Sequence, residues 1–157
     1  MASSFYCFTG LAYSDLKKLT EDDIVIGTNG KKWIKIKRKK TEVLSKIPIL
    51  PVVQTIIDRY QNHPYCIEKD VLLPVYSNQK MNGYLKEIAE LSRIKKNLTT
   101  HLARHTFATT VTLNNDVPIE SVSKMLGHSS INMTKVYARL LDKKVGDDME
   151  KLHEKYK

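Results

Sequence analysis

The amino-acid sequence predicts a single α+β domain, mainly helical, with a small three-stranded antiparallel sheet in its first third. Three observations lead there. Short extended runs separated by turn-forming stretches lie between residues 24 and 49, whereas elsewhere the apolar residues recur at three- and four-residue spacing. Proline and glycine stand where the helical runs start and stop. The length of 157 residues suits one domain with an ordinary core, and a hydrophobic share of 41% with 27% charged residues keeps the chain away from disordered compositions.

In chain order, Phe5, Phe8, Leu11 and Leu16 with Tyr6 and Tyr13 form an apolar helical stripe that starts almost at the first residue, so we expect a longer protein upstream. Ile24 to Ile26, Trp33 to Ile36 and Ser45 to Ile49 are the extended candidates. Asn29-Gly30 supplies a hairpin turn between the first two, and Lys37 to Leu44 makes a basic second connection. Pro51 opens a helix to about Asn62, with Val52, Val53, Ile56, Ile57 and Tyr60 on one side, and His63-Pro64 closes it. Tyr65 to Tyr76 reads as a loop. Ser77 or Asn78 starts a helix to about Ile94, and another runs from Thr99 or Thr100 to Asn114-Asn115. Pro118 begins a helix that Gly127 stops. The last amphipathic helix starts between Ser130 and Met133 and carries Val136, Tyr137, Leu140 and Leu141; Gly146 separates it from a tail, Met149 to Tyr156, that reads as a short exposed helix.

Several function classes are excluded by this reading. No apolar run approaches the roughly 20 residues that span a bilayer, and the first residues lack the pattern of a secretory leader, so a cytoplasmic protein is expected. Cys7 and Cys66 stand alone, with neither a disulfide framework nor zinc-ligand spacing, and read as two buried thiols. Lys plus Arg number 26 against 17 acids, a net charge of +9 that suits a polyanionic partner. Eight basic residues lie between Lys31 and Lys46 against the single acid Glu42, which concentrates the positive field in the hairpin.

Four features are candidates for chemistry: the loop ending Lys39-Lys40-Thr41, the segment His101-Leu102-Ala103-Arg104-His105, the Leu126-Gly127-His128 corner, and Tyr137. Singly, each has an ordinary reading as solvated surface, helix terminus or core. Together they suggest a phosphate site. His101 and Arg104 stand three apart, about 5–6 Å between Cβ atoms on a helix, and can hold one anion. Their neighbours Leu102, Ala103, Phe107 and Ala108 are apolar, and a partly buried cation is costly unless something negative meets it. Phosphoryl transfer needs donors for the non-bridging oxygens, an in-line nucleophile and an acid for the leaving oxygen. The arginine fork suits the first role, Tyr137 the second and Lys40 the third.

These residues carry a resemblance. The string HLARHTFAT followed by LGHSSINMTKVYA is similar to the H-x-x-R-H helix, the L-G-H turn and the tyrosine nine residues beyond that histidine in the tyrosine recombinases, the phage-integrase-like family of DNA strand-exchange enzymes. CFTGLAYSDL and RKKTEVLSKIPIL resemble that family's first box and its catalytic-lysine hairpin. In detail the chain is most similar to integrases of bacterial conjugative transposons, and the likeness covers nearly all of residues 1–157 as a catalytic domain, with the family's N-terminal DNA-clamping domain absent from them.

The resemblance implies roles. Tyr137 attacks the scissile phosphate of double-stranded DNA to give a 3′-phosphotyrosyl link, and Arg104 holds the non-bridging oxygens. His101 and His128 bond the phosphate or shuttle the tyrosine proton, and Lys40 protonates the 5′ oxygen. His105 and Asp15 support the site, and Lys37, Arg38 and Lys39 belong to the DNA-binding hairpin. Neither a metal nor another cofactor is implied. The full-length protein is expected to act as a homotetramer on DNA, and the 157 residues alone to be monomeric. One departure stands out: where the family carries a second phosphate-binding arginine after Thr9-Gly10-Leu11, this chain has Ala12, and we expect the missing cation from an upstream segment in preference to Arg38 or Lys39, because a hairpin tip that positions Lys40 is poorly placed to present a second one. Two rival readings keep the same residues in view. One is a catalytically impaired DNA-binding module of the same fold, which would tolerate Ala12. The other is a helix-turn-helix regulator built on Ile119 to Arg139, which leaves His101, Arg104 and the basic hairpin without a role.

Overall fold

The computed structural model describes residues 2–138 and 142–156, with side chains for all of these except residues 2, 142–144, 147, 148 and 151. The first apolar stripe folds as two helices instead of one, α1 (Ala2–Thr9) and α2 (Tyr13–Leu16). The break falls at Gly10, whose φ of +64° favours glycine and whose added Cβ would sit 2.3 Å from the Phe107 ring. Beyond a short 3₁₀ turn, β1 (Ile24–Ile26), β2 (Lys32–Lys37) and β3 (Leu44–Pro48) form an antiparallel sheet in that order. Ile34 stands opposite both Ile24 and Ile47, and Lys37 opposite Leu44. Alternation sends Ile34, Ile36, Ser45 and Ile47 inward, leaving Lys35, Lys37 and Lys46 in solvent.

α3 (Pro51–Tyr60) is followed by α4 (Pro64–Lys69), inside the stretch the sequence reading takes as a loop. The physical reason is Pro64: it closes α3 and also serves as the first-turn residue of the next helix, which Asp70 ends in the left-handed region at φ +49°. α5 (Asn78–Leu91) starts from Ser77, whose hydroxyl accepts the Lys80 N–H at 3.3 Å. α6 (Thr100–Thr106) starts likewise from Thr99, which accepts the Leu102 N–H at 3.1 Å.

The regular helix expected from Thr99 to Asn115 ends early, widening into a π-helical turn over Phe107–Thr112 and tightening to 3₁₀ over Leu113–Asn115. The run Thr109-Thr110-Val111-Thr112 explains the change, because threonine hydroxyls bond back to carbonyls of the preceding turn: Thr109 to His105 at 2.8 Å and Thr112 to Ala108 at 2.8 Å. α7 (Ile119–Leu126) ends at Gly127 in the left-handed region, α8 (Asn132–Ala138) follows, and α9 (Asp142–Lys155) closes the described chain. Gly146 lies inside α9 instead of separating it from a tail; one glycine costs a helix about 1 kcal/mol, too little to break fourteen residues. Leu140 and Leu141 lie outside the described residues.

The core joins the first two helices to the sheet, α3 and the stretch from the π turn to α7. Phe5, Tyr6, Leu11, Leu16 and Leu19 pack with Ile34, Ile47, Val53, Phe107, Ala108, Val122 and Leu126. Each large apolar side chain so buried contributes about 1.5–3 kcal/mol. Cys66 is buried, Cys7 half-buried, and both are free thiols. Tyr6 Oη is the buried side-chain polar atom without a partner among the described residues, and burial pushes its phenol well above the ordinary range. Among the described residues no helix is long and apolar enough to cross a membrane.

Candidate active site

The site forms where the β2–β3 hairpin meets the end of α7. A helix leaves its last carbonyls without intrahelical donors and carries partial negative charge there. Three hairpin residues supply donors: the Ser45 hydroxyl to Met125 O, Arg38 Nη1 to Leu126 O at 2.7 Å, and the Thr41 hydroxyl to Gly127 O at 3.2 Å. Gly127 permits this approach. It takes φ +60°, and a Cβ on it would lie 2.4 Å from Arg38 Cδ. From the other side Asp15, 2% exposed, accepts Arg38 Nε at 3.0 Å on one carboxylate oxygen and the Lys39 backbone N–H at 3.0 Å on the other. The base of the hairpin is therefore clamped between α2 and α7.

Arg104 reaches the same place from α6. It donates through Nη1 to Gly10 O and through Nη2 to Leu126 O at 2.6 Å, so two guanidinium groups share one carbonyl oxygen. Burial, then the neighbouring Arg38 charge, lowers the Arg104 pKa to about 10, still well above neutral pH, while Tyr137 and Asp15 support its charged form. Arg104 Nη2 also lies 3.2 Å from His128 Nε2. Because arginine has no acceptor, His128 Nε2 must be the acceptor; the ring then carries its proton on Nδ1, 2.8 Å from the Thr134 hydroxyl. Burial and the Arg104 and Arg38 charges lower the His128 pKa to about 4, so the ring is neutral at pH 7 with its basic nitrogen toward the arginine.

Tyr137, 6% exposed, is sandwiched between histidines. The His128 ring stacks parallel to it at 6.2 Å between centroids, and the His105 ring meets it edge-on at 4.8 Å. His105 Nε2 in turn lies 3.1 Å from His101 Nε2. Burial and the His101 and Arg104 charges lower the His105 pKa.

The sequence reading pairs His101 with Arg104 and sets His105 behind the site. The structure instead turns Arg104 inward to His128, leaves His101 exposed, and inserts His105 between His101 and Tyr137. The i, i+4 spacing of the two histidines held this signal. Thr134 escaped the reading, although it lies three residues before Tyr137 on the inward face of α8.

The three DNA-binding candidates on the hairpin separate. Lys39 is exposed, and Lys37 is exposed and paired with Glu42 at 2.8 Å. Arg38, expected with them on the DNA-binding hairpin, is 7% exposed and turned into the site, because Asp15 accepts its Nε and the α7 terminus accepts its Nη1. Lys40 stands exposed at the tip. Among the described residues no group of three His, Cys, Asp or Glu is placed to hold a metal ion.

The sequence pattern of the phage integrase family matches residues 2–144. A tyrosine recombinase XerD of Listeria innocua is 28% identical over 167 aligned positions, covering 92% of this chain and 51% of that protein. A tyrosine recombinase of Agathobacter rectalis is 40% identical over 77 residues, which is 49% of this chain and 25% of that one. The chain spans about half the length, or less, of these curated relatives. Among solved structures, XerA recombinase superposes with a TM-score of 0.75 at 22% identity, covering 96% of this chain and 56% of that one. The Tn1549 transposon integrase in complex with circular intermediate DNA gives 0.68 at 22% identity, with 96% and 58% covered.

Proposed function

The chain belongs to the phage integrase family, and from that premise we propose that it is the catalytic domain of a site-specific DNA recombinase with Tyr137 as nucleophile. The observation that carries this reading is the gathering of Tyr137, Arg104, His105 and His128 in one cluster from α6, α8 and the turn after α7. Tyr137 Oη attacks the scissile phosphorus of double-stranded DNA. A bond forms from phosphorus to the tyrosine oxygen, the bond to the 5′ oxygen breaks, and the 3′ phosphate remains on the enzyme. His101 and His128 bond the phosphate or shuttle the phenol proton, the unprotonated Nε2 of His128 lying beside Arg104. Lys40 gives a proton to the departing 5′ oxygen. Arg104 exchanges its carbonyl partners for the non-bridging oxygens, where its fork meets phosphate bidentately. Attack of a 5′ hydroxyl on the phosphotyrosine reverses the step and joins strands, with no bond energy supplied from outside.

Assembly as a homotetramer on DNA in the full-length protein belongs to the same proposal. Val145, Met149 and Leu152 line one exposed face of α9, with exposed Tyr156 just past its end, and an apolar groove of about 660 Å³ lies between β3 and the π turn, bordered by Leu44, Leu50, Val111 and Met125. A tail from a neighbouring subunit fits such a groove; the 157 residues alone are expected to be monomeric. Ala12 favours one second reading, a DNA-binding module with impaired catalysis.

A nicked suicide substrate separates the two readings. Wild type should form a covalent protein–DNA adduct that survives a denaturing gel, and Tyr137→Phe should form none while binding the same DNA within about twofold. Loss of the hydroxyl leaves nothing to attack. An adduct with Tyr137→Phe would remove Tyr137 from its role, and none with wild type would favour the impaired module.

A further inference from the structure

We propose that Arg38 is the second cation on the scissile phosphate, taking the role that Ala12 leaves open; the proposal rests on the recombinase reading above and names a further group in that site. The hairpin arginine was an unpromising source from sequence alone, since a tip that positions Lys40 would have to turn one residue back into the domain. The structure does this. Arg38 Nη1 and Arg104 Nη2 bond the same oxygen, Leu126 O, so the two guanidinium groups stand side by side.

Arg38 is held there by Asp15, three residues after Ala12 on the same short segment, and its methylenes cross Gly127, where a Cβ would stand 2.4 Å from Cδ. A cation is thus delivered to the first box from the β2–β3 connection, with the acid of that box as its anchor.

The charge balance asks for an anion. Arg38 and Arg104 bring two positive charges against one carboxylate, Asp15, in a place where both arginines are less than a tenth exposed and His128 is neutral. An unbalanced buried charge is costly unless met. The carbonyl they share offers only the partial charge of a helix end, which a phosphate outbids. Arg38 is also fitted to respond. Nε and Nη1 are engaged, but Nη2 has no partner among the described residues and is not among their buried unpaired atoms, so it keeps some contact with solvent. The fork can take a phosphate oxygen on Nη2 without leaving Asp15.

The test is single-turnover cleavage of two suicide substrates, one with an ordinary scissile phosphodiester and one with a methylphosphonate, in which a methyl replaces a charged oxygen. A group whose task is to neutralise that charge becomes dispensable on the neutral substrate. Arg38→Ala should slow the phosphodiester by about 10²–10³ and the methylphosphonate by less than about fivefold. Arg38→Lys, which keeps the Asp15 ion pair, should show the same selectivity with a smaller loss and stands in if the alanine variant does not fold. Equal slowing on both substrates would reduce Arg38 to a strut for the hairpin and overturn the proposal alone. A gain of tenfold or more from Ala12→Arg in the wild type would overturn it too, since the site would then have lacked its second cation. If wild type yields no adduct on either substrate, the recombinase reading fails and this proposal with it.

Discussion

The two halves of the hairpin tip differ sharply. Arg38 is buried and anchored by Asp15 and the end of α7, whereas Lys40, two residues on, stands in solvent. Two basic residues in one short loop thus receive opposite treatment, and the difference fits two chemical tasks. A group that stabilises charge on the phosphate works best when fixed beforehand, because no reorganisation is then required during reaction. A group that delivers a proton to a departing oxygen must follow that oxygen, and a lysine on an unrestrained tip is free to do so. The same division separates Arg104, His128 and Tyr137, locked among carbonyls and rings, from His101, exposed at the start of α6.

The comparison breaks first at Lys40. Lys40→Ala should slow cleavage of an ordinary substrate by about 10²–10⁴ while leaving folding stability within about 0.5 kcal/mol, since an exposed side chain is removed. On a substrate with a 5′ sulfur leaving group the loss should nearly vanish, because a thiolate leaves without a proton. Equal losses on both would make Lys40 a phosphate binder.

Gly127→Ala attacks the fixed half through its packing. The left-handed φ costs about 1–2 kcal/mol for alanine, and the Cβ displaces Arg38. Urea denaturation should report a loss of about 1–3 kcal/mol, and cleavage should fall at least tenfold, following Arg38. Gly83→Ala, in the exposed middle of α5 with open space around the added Cβ, provides the contrast: it should leave cleavage unchanged and raise stability by up to about 1 kcal/mol.

The smallest effect concerns proton linkage. His128 has its pKa lowered from 6.5 to about 4 in the folded state, so between these values the unfolded chain binds more protons than the native one. Stability from this group therefore falls as pH drops from 6.5 toward 4 and is level outside that window. His128→Gln, whose amide can still accept from Arg104 and donate to Thr134, should flatten the fall. Denaturation midpoints at pH 7 and pH 4.5 check it: a variant that loses as much stability as wild type would show that His128 is not the group held neutral.

Much of the architecture was legible in the sequence because it depends on local signals. The three strands follow from β-branched runs between turns, α7 from Pro118 and Gly127, and α5 and α6 from Ser77 and Thr99 as caps. The helix–π–3₁₀ passage and the helical course of α9 through Gly146 were not, since in both a modest local preference competes with the regularity of its surroundings. The site divides along the same line. Arg104, His128 and Tyr137 could be named as chemical types in a suggestive order, and the order alone points to phosphate. Which way each side chain turns could not be named. Arg38, Lys39 and Lys40 are consecutive basic residues on one loop, and nothing within that loop distinguishes the one that is buried. The choice was made 23 residues earlier by Asp15 and 88 residues later by Leu126 O, whose unpaired lone pairs draw one guanidinium inward. Sequence by itself determined which groups were present and which helices and strands would carry them; only the tertiary structure decided which cations face each other, because that depends on acceptors contributed by residues far away in the chain.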